Sequence, residues 1–428
     1  MDCVELRSDI DKLKQELQAL KSGVERIRGA EERGGGLRNM VKLIDSGLLD
    51  TTLVRYLRFF QEQNSEFFSG FALGERIEIR DSVGTLARII SIAIIEDRRV
   101  LIGGRGGMLY SGFYNGRGGL ELNNEWIGIW DAYGRAADIY SVVAINDNRV
   151  LIGGHRGAFY EGTYDDQNRL VLGGRIDIRD ANNEPATVRF TATIDDGHVL
   201  VGGDRGTLYM GTYDKQGKLK LGDRIDIRDA NNEPASVYSI ATTDDGRVFI
   251  GGGTGVFYMG FYDGQEKLTL GERIGVKDAH GYPASINTIT IADSTHVLIG
   301  GNSGVLYAGS YDDRGGLSLG RPIRIGNDGG IVSVDSIAVT KDGRVLIGES
   351  NGALCVGSYN DDGKLILSDR VDVMDANGGP AGIKSIAVMN EGGVLIGGRD
   401  GALYEGSFDT SLETLKQHLP EIAKKGEA

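Results

Sequence analysis

One motif, repeated seven times, constrains this chain more than any other feature. Its form is V-L-I-G-G-x-x-G-x-L-Y-x-G. The copies begin at Val100, Val150, Val199, Val248, Val297, Val345 and Val394. Successive starts are 50, 49, 49, 49, 48 and 49 residues apart. Self-similarity at so even a period indicates a repeat architecture, in which each copy is one supersecondary unit.

Each copy contains four short runs of β-forming residues that are separated by turn residues. In the sixth copy these runs are 336–339, 345–347, 353–356 and 370–373. Four strands in about fifty residues are typical of one propeller blade. Because no copy holds an apolar period of helical length, helical solenoids are excluded. The sequence therefore predicts an all-β fold, a seven-bladed β-propeller over residues 67–409.

The two ends of the repeat array fit a closed ring. The last copy has three strands and stops after Gly406, while an orphan strand, 76–79, precedes the first full copy. This orphan resembles the fourth-strand runs 175–178 and 224–227. We therefore expect the N-terminal strand to complete the last blade, which removes the open edge that a sheet otherwise exposes.

The repeat also resembles known propeller families. Residues 385–388, 394–398 and 400–403 resemble a WD40-type repeat, and the double glycine followed by an aromatic residue is similar to kelch repeats. The Gly-His and Trp-Asp signatures of WD40 do not recur between copies, and the only tryptophans, Trp126 and Trp130, lie in one copy. The resemblance implies a propeller, identifies no specific family, and carries over no functional residue.

Residues 1–33 are predicted to form an α-helical coiled coil. Apolar side chains recur at the a and d positions of a heptad, and with Cys3 they are Leu6, Ile10, Leu13, Leu17, Leu20, Val24 and Ile27. Basic residues at e and acidic residues at g, such as Lys14 and Asp9, favour a parallel homodimer. The alternative is a lone amphipathic helix packed on its own propeller.

Two further segments are predicted to be helical. Gly34, Gly35 and Gly36 break the first helix. Residues 37–63 then form a helical hairpin that is either an adaptor module or a spacer. Residues 410–428 form a C-terminal helical tail.

Composition limits the classes of function. The formal net charge of −14 argues against nucleic-acid binding, because phosphates attract basic surfaces. No stretch is apolar enough to span a membrane, and the N-terminal residues lack the pattern of a signal peptide. Two cysteines, Cys3 and Cys355, form neither a disulfide framework nor a zinc site. A cytoplasmic protein is expected.

The sequence predicts no catalytic, cofactor or metal site. The five histidines do not form a ring by repeat position, and the Asp-rich hairpins are expected to be solvated turns. The Asp-Ala-Asn-Asn-Glu-Pro-Ala loops at 180–186 and 229–235 are expected to be structural corners. The leading hypothesis is a non-catalytic scaffold or adaptor that binds a protein partner.

Two other functions stay open from sequence. A multivalent lectin is favoured by two recurrent tyrosine series, whose faces could stack on sugars. The first is Tyr110, Tyr160, Tyr209, Tyr258, Tyr307 and Tyr404, and the second is Tyr114, Tyr164, Tyr213, Tyr262, Tyr311 and Tyr359. The third alternative is a propeller lyase or hydrolase.

The repeats themselves locate the expected partner-binding surface, because positions free of a folding duty can diverge. The start of the inner strand carries Ile90, Tyr140, Arg189, Tyr238, Asn287, Asp335 and Lys384. The turn inside Gly-Gly-x-x-Gly carries, among others, Arg105, His155, Arg156, Asp204, Arg205 and Arg399. Both variable sets are predicted to meet at one mouth of the central channel.

Overall fold

The seven repeats fold into seven four-stranded antiparallel sheets, in a computed structural model of the chain. The structure describes residues 71–408, except 82–83, 97, 115–118, 196, 265–266, 313–315, 326–330, 361 and 390–391. Within this range, Leu73–Ser407 form one compact unit. The predicted seven-bladed β-propeller is confirmed, whereas the predicted coiled coil (1–33), the 37–63 segment and the 410–428 tail lie outside the described residues.

We number the blades in chain order, and each blade has an innermost, a second, a third and an outermost strand. The innermost strands of blades 1–7 are β2 (Ile89–Ile95), β6 (Ile139–Asn146), β10 (Val188–Asp195), β14 (Val237–Thr242), β18 (Ile286–Ile291), β22 (Val334–Val339) and β26 (Ile383–Val388). The second strands are β3 (Arg99–Gly104), β7 (Arg149–Gly154), β11 (His198–Gly203), β15 (Arg247–Gly252), β19 (His296–Gly301), β23 (Arg344–Glu349) and β27 (Gly393–Gly398).

The outer half of each blade follows the same order. The third strands are β4 (Met108–Tyr114), β8 (Phe159–Tyr164), β12 (Leu208–Tyr213), β16 (Phe257–Tyr262), β20 (Leu306–Tyr311), β24 (Ala353–Tyr359) and β28 (Leu403–Phe408). The outermost strands are β5 (Leu120–Gly128), β9 (Leu170–Arg175), β13 (Leu219–Arg224), β17 (Leu268–Arg273), β21 (Leu317–Leu319), β25 (Leu365–Asp372) and, for blade 7, β1 (Phe71–Arg76). A 3-10 turn, His155–Gly157, lies between β7 and β8. In the part of the chain that is described, no helix has the length and apolarity needed to cross a membrane.

Blade 7 is assembled from both ends of the propeller, because its strand order is β1-β28-β27-β26. The amide of Ile77 also donates to the carbonyl of Leu403 at 2.7 Å. The N-terminal strand therefore completes the last blade, as expected, but its predicted bounds were wrong. The strand is Phe71–Arg76 rather than 76–79.

The same error affects the other outermost strands. In blade 2 the strand is Leu170–Arg175 rather than 175–178, in blade 3 it is Leu219–Arg224 rather than 224–227, and in blade 6 it starts at Leu365 rather than at 370. In blade 2 the run after the strand holds a more deeply buried residue than the strand does, since Ile178 is 1% exposed. It is buried as an extended connector rather than as a strand, so apolarity alone misplaced the boundary.

The double glycine that ends the second strand of every blade except blade 6 allows close packing on both sides. A Cβ added at Gly202 would lie 2.5 Å from Cγ1 of Val237 in the next blade. A Cβ added at Gly203 would lie 1.9 Å from the carbonyl oxygen of Thr187. The first contact recurs from blade to blade and closes the ring, because Gly397 meets Ile89 in the same way.

The core lies between neighbouring blades. Second strands are almost wholly apolar, and Val199, Leu200 and Val201 are each fully buried. One cluster joins Leu101 of blade 1 to Val150 of blade 2. Burial of these side chains supplies the main favourable free energy of folding, because it removes apolar surface from water.

Candidate functional site

A β-bulge lies at the start of every innermost strand, and it carries the first variable set. In blade 3, Val188 pairs with Gly203 and Phe190 with Gly202, so the intervening Arg189 has no partner in the register. The same shift surrounds Ile90, Tyr140, Tyr238, Asn287, Asp335 and Lys384. Bulges redirect side chains and are common beside functional sites.

All seven bulge residues line one cavity of about 500 Å³ at the centre of the ring. The predicted convergence of the first set is therefore present in the structure. The bulge itself was not anticipated from sequence, because an inserted residue in a strand leaves no distinct apolar pattern. Their role in partner binding stays a prediction.

Arg189 is the centre of one sector of this channel mouth. Its guanidinium lies 4.5 Å from the ring centre of Tyr140 and 5.8 Å from that of Tyr238. It donates to Asp204 from Nε at 2.9 Å and from Nη2 at 3.0 Å. Burial is the main cause that raises the pKa of Tyr140, which stays a neutral phenol at physiological pH. The sector is a cation between two aromatic rings, held by a carboxylate.

The opposite sector is a polar chain across blades 5, 6 and 7. Nδ2 of Asn287 donates to Asn302 at 2.8 Å and to Asp335 at 3.0 Å. The ammonium of Lys384 forms an ion pair with the other oxygen of Asp335. The mouth is therefore asymmetric, with aromatic and guanidinium groups on one side and amide, carboxylate and ammonium groups on the other.

The second variable set lies directly beside the first, because residues fifteen apart meet within a blade. Arg189 contacts Asp204 and Asn287 contacts Asn302. The ring of Tyr140 lies 6.4 Å from that of His155. Burial, followed by the charge of Arg156, lowers the pKa of His155. In blades 2, 3 and 5 the two predicted sets thus meet in one surface.

The remaining predicted residues of the second set are more exposed. The Arg105 side chain is 66% exposed and lies 3.8 Å from Asp138. Arg156 and Arg399 are also exposed. Arg205 is 67% exposed at the side chain and lies 3.7 Å from Asp180. A second cavity of about 540 Å³ joins His155, Arg156, Asp204 and Arg205.

A belt of side-chain hydrogen bonds fixes the inner strands that carry the bulges. At five blade-to-blade steps in the described chain, a serine Oγ accepts a backbone N–H of the next blade. The serines are Ser385, Ser91, Ser141, Ser239 and Ser336. The other two steps use threonine, since Thr242 donates to the carbonyl of Thr193 and Thr290 to that of Ile337. The mouth is therefore preorganised rather than loose.

The recurrent tyrosines are used inside the fold. In the first series the hydroxyl donates to a backbone carbonyl thirty residues earlier, as Tyr209 does to Arg179 at 2.7 Å. In the second series the ring packs on the preceding blade, as Tyr164 does under Arg99 at 4.2 Å. These contacts support packing between blades rather than repeated sugar pockets.

Acidic side chains at the corners and hairpins cap turns. Asp180 accepts the amides of Asn182 at 2.8 Å and Glu184 at 3.0 Å, which confirms the predicted structural role of this loop. In the hairpin of blade 2, Asp165 accepts the amide of Gln167 in the same way. Among the described residues, no group of three His, Cys, Asp or Glu is arranged to hold a metal ion.

Sequence reasoning missed a buried polar cluster in blade 6. Glu349 replaces the second glycine of the motif and is fully buried, with two bonds from Arg370 at 2.8 and 3.0 Å. Cys355 stands where the other blades have the first tyrosine, and its thiol donates to Glu349 at 3.1 Å. Burial, followed by Glu349, raises the pKa of Cys355 to about 12. The signal was visible as two departures from the repeat in one blade.

Solved structures share features of this architecture, although no sequence family matches. No family model matches the chain. No curated protein matches it. The extracellular domain of BT4673 from B. thetaiotaomicron is 18% identical with a TM-score of 0.53, over 77% of this chain and 39% of that one. The chain thus spans about two fifths of that structure's length.

Two propeller domains are similar over nearly their full length. The WD40 beta propeller domain of Doa1 is 16% identical with a TM-score of 0.51, over 80% of this chain and 98% of that one. The beta-propeller domain of Cps50 (Swd1) from Myceliophteria thermophila is 13% identical with a TM-score of 0.54, over 79% and 99%. At these identities the likeness shows the fold alone, and it confirms the WD40-like resemblance at that level.

Proposed function

We propose that this protein is a non-catalytic scaffold or adaptor that binds a protein partner at the channel mouth. We further propose that it dimerises through its N-terminal coiled coil and acts in the cytoplasm. One observation carries the binding proposal. One of the two sets of positions at which the repeats diverge most lies entirely on β-bulges that face one cavity.

The chemistry of the mouth supports a protein partner. Arginine and tyrosine are among the residue types most often found as interface anchors. Here Arg189 is held between Tyr140 and Tyr238, so it binds without losing much side-chain freedom. An asymmetric rim can recognise one partner in one orientation. The tyrosines that would favour a lectin are engaged between blades instead.

The use of the mouth's charges supports the non-catalytic part of the proposal. Arg189 is paired with Asp204, and Asp335 with Lys384. Groups that neutralise one another in the resting state are suited to shape and orientation rather than to proton transfer. A catalytic base is instead tuned so that it can take a proton near the working pH.

Partner capture from native cells, followed by mass spectrometry, tests the site. Tyr140, Arg189, Tyr238 and Lys384 are replaced together by alanine, and we expect the captured partner to be lost. Thermal unfolding checks that the propeller remains folded. The purification also identifies the partner that the wild-type protein retains.

The control is a set matched in number and charge on the hairpins of the opposite face. Gln167, Lys215, Gln216 and Lys218 are exposed there, and they are replaced by alanine together. This set should leave capture unchanged. If only the opposite-face set abolishes capture, the partner binds the opposite face of the ring and the proposed site is wrong.

A further inference from the structure

Positive charge is unevenly distributed around the mouth. The second residue of the Gly-Gly-x-x-Gly turn differs from blade to blade, and in blades 1–7 it is Gly106, Arg156, Arg205, Thr254, Ser303, Asn351 and Asp400. Only blades 2 and 3 carry a cation at this position. In blades 1–5 and 7 this residue has the same left-handed φ, so the fold does not dictate which side chain it carries.

The loop that leads from blade 1 into blade 2 adds to the same sector. It carries Tyr133 and Arg135, where the equivalent loop of the next blade carries Asn182 and Glu184. The amide of Ala132 in this loop donates to the carbonyl of Arg156 at 3.0 Å, so the loop and the turn are in contact. Arg135, which stands where the next loop has the acidic Glu184, therefore adds a third cation beside Arg156 and Arg205.

These residues line one cleft, the cavity of about 540 Å³ described above. We call it the blade 2–3 cleft, defined by Tyr133, Arg135, Arg156 and Arg205. The three arginines and Tyr133 are exposed, the tyrosine at 59%. The chain as a whole has a net charge of −14, so the charge of this cleft is opposite in sign to the net charge of the protein.

The acids beside the cleft are largely committed to the fold. The side chain of Asp180 is 4% exposed, caps its own loop through two backbone amides and lies 3.7 Å from Nη1 of Arg205. Asp204 accepts two hydrogen bonds from Arg189. The exposed acid on the rim is Glu184. The accessible charge of the cleft is therefore net positive.

The backbone that carries the two turn arginines is fixed. Arg156 and Arg205 adopt left-handed φ values of 47° and 54°. Their amides donate to Thr187 Oγ1 at 3.2 Å and to Ser236 Oγ at 3.3 Å, each on the next blade. A left-handed conformation in a non-glycine residue persists where the surroundings hold it. The ring thus fixes the backbone positions from which the two arginine side chains extend.

We propose that the blade 2–3 cleft binds an acidic peptide segment of the partner, with carboxylates on Arg156 and Arg205. Guanidinium groups bind carboxylates through paired, charge-assisted hydrogen bonds. The exposed ring of Tyr133 supplies an apolar anchor beside them. This inference rests on the proposed function and names the chemistry of the segment that the mouth recognises.

Fluorescence anisotropy with the full-length protein tests the inference. The probes are fluorescein-labelled hexaglutamate, hexaglutamine and a dodecamer of single-stranded oligothymidylate. We expect saturable binding of hexaglutamate that weakens as salt rises, and no binding of hexaglutamine. The double variant Arg156→Gln with Arg205→Gln should weaken hexaglutamate binding at least tenfold.

A matched variant makes the same charge change elsewhere. Lys215→Gln with Lys218→Gln removes two exposed cations from the opposite face and should alter the affinity less than twofold. The inference is overturned by equal weakening in both double variants, by equal binding of hexaglutamate and hexaglutamine, or by tighter binding of the oligothymidylate. Native partner capture, measured in parallel, is independent of these probes. If capture needs the mouth but the cleft does not select hexaglutamate, the inference fails while the proposed function stands.

Discussion

Arg189 donates two hydrogen bonds to Asp204, fifteen residues later, and thereby joins a β-bulge to a turn of the same blade. The same offset joins Asn287 to Asn302, and it places Tyr140 beside His155. Blades 2, 3 and 5 therefore each present a matched pair at the mouth. A substitution on one member alters the surface offered by the other.

The coupling between Arg189 and Asp204 can be measured directly. Their side chains are 35% and 26% exposed, so solvent screens the pair in part. A double-mutant cycle with Arg189→Ala and Asp204→Ala should give a coupling free energy of about 1 kcal/mol in chemical denaturation. Additive effects of the two substitutions would show that the two-point contact contributes nothing to stability.

The buried pair of blade 6 should matter far more to stability than the surface pairs. Glu349→Ala leaves the guanidinium of Arg370 without its carboxylate, and we expect the free energy of unfolding to fall by about 3–5 kcal/mol. Asp177→Ala is the control, because Asp177 pairs with Arg179 at the surface at 3.0 Å. That control should cost less than about 1 kcal/mol. Equal losses in urea titrations would contradict the distinction.

Cys355 should be inert in the folded protein. Its pKa is raised to about 12, first by burial, so the thiolate fraction remains small between pH 7 and 9. With Cys3 replaced by serine, a disulfide reagent should label the native protein slowly throughout that pH range. The folded state holds the thiol proton more tightly than the unfolded chain does. The free energy of unfolding should therefore fall as pH rises from about 9 toward 12. Rapid native labelling at pH 8 would mean that the thiol is accessible.

Ring closure by β1 should be visible in truncated proteins. A chain that lacks residues 1–76 exposes the edge of β28, whereas a chain that lacks residues 1–66 keeps β1. We expect the shorter chain to melt at a lower temperature and to aggregate more readily. Identical melting curves from the two truncations would show that β1 does not close the ring.

The heptad pattern predicts a parallel dimer. Light scattering of the full-length protein should give twice the monomer mass at micromolar concentration. Replacing Leu13 and Leu20 with glutamate should yield a monomer with an unchanged propeller circular dichroism spectrum, because the ring closes without these residues. A wild-type monomer under the same conditions rules the dimer out.

The architecture could be predicted because each repeat independently encodes a blade. Seven motif copies and the missing last strand were enough to predict the blade count and the N-terminal closure. Boundaries of the outermost strands could not be placed, because apolar residues such as Ile176 and Ile178 continue past the end of the strand into the connector. Their burial is decided by the tertiary contacts of the connector, which the local pattern does not contain.

The candidate site was predicted as a set of positions rather than as a geometry. Divergence among repeats identified Tyr140, Arg189 and Tyr238, and the structure brings all three to one cavity. The bulge that points them there depends on backbone register, and the Arg189 contacts depend on rotamers. The cluster around Glu349 was detectable as a departure from the repeat, but its ion pair needed the fold.

The strand pairing that completes blade 7 also determines where the propeller's two chain ends lie. The rings of Phe71 and Phe408 are 5.1 Å apart between centroids, so the chain enters and leaves the described region at one place. The junction between blades 7 and 1 packs like the other junctions, since Gly397 meets Ile89 just as Gly202 meets Val237. It differs from them only in how the chain is connected. A circular permutation that joins the two ends and opens any loop between blades would preserve every sheet. The order of blades around the ring, rather than their order of synthesis, is what the mouth depends on.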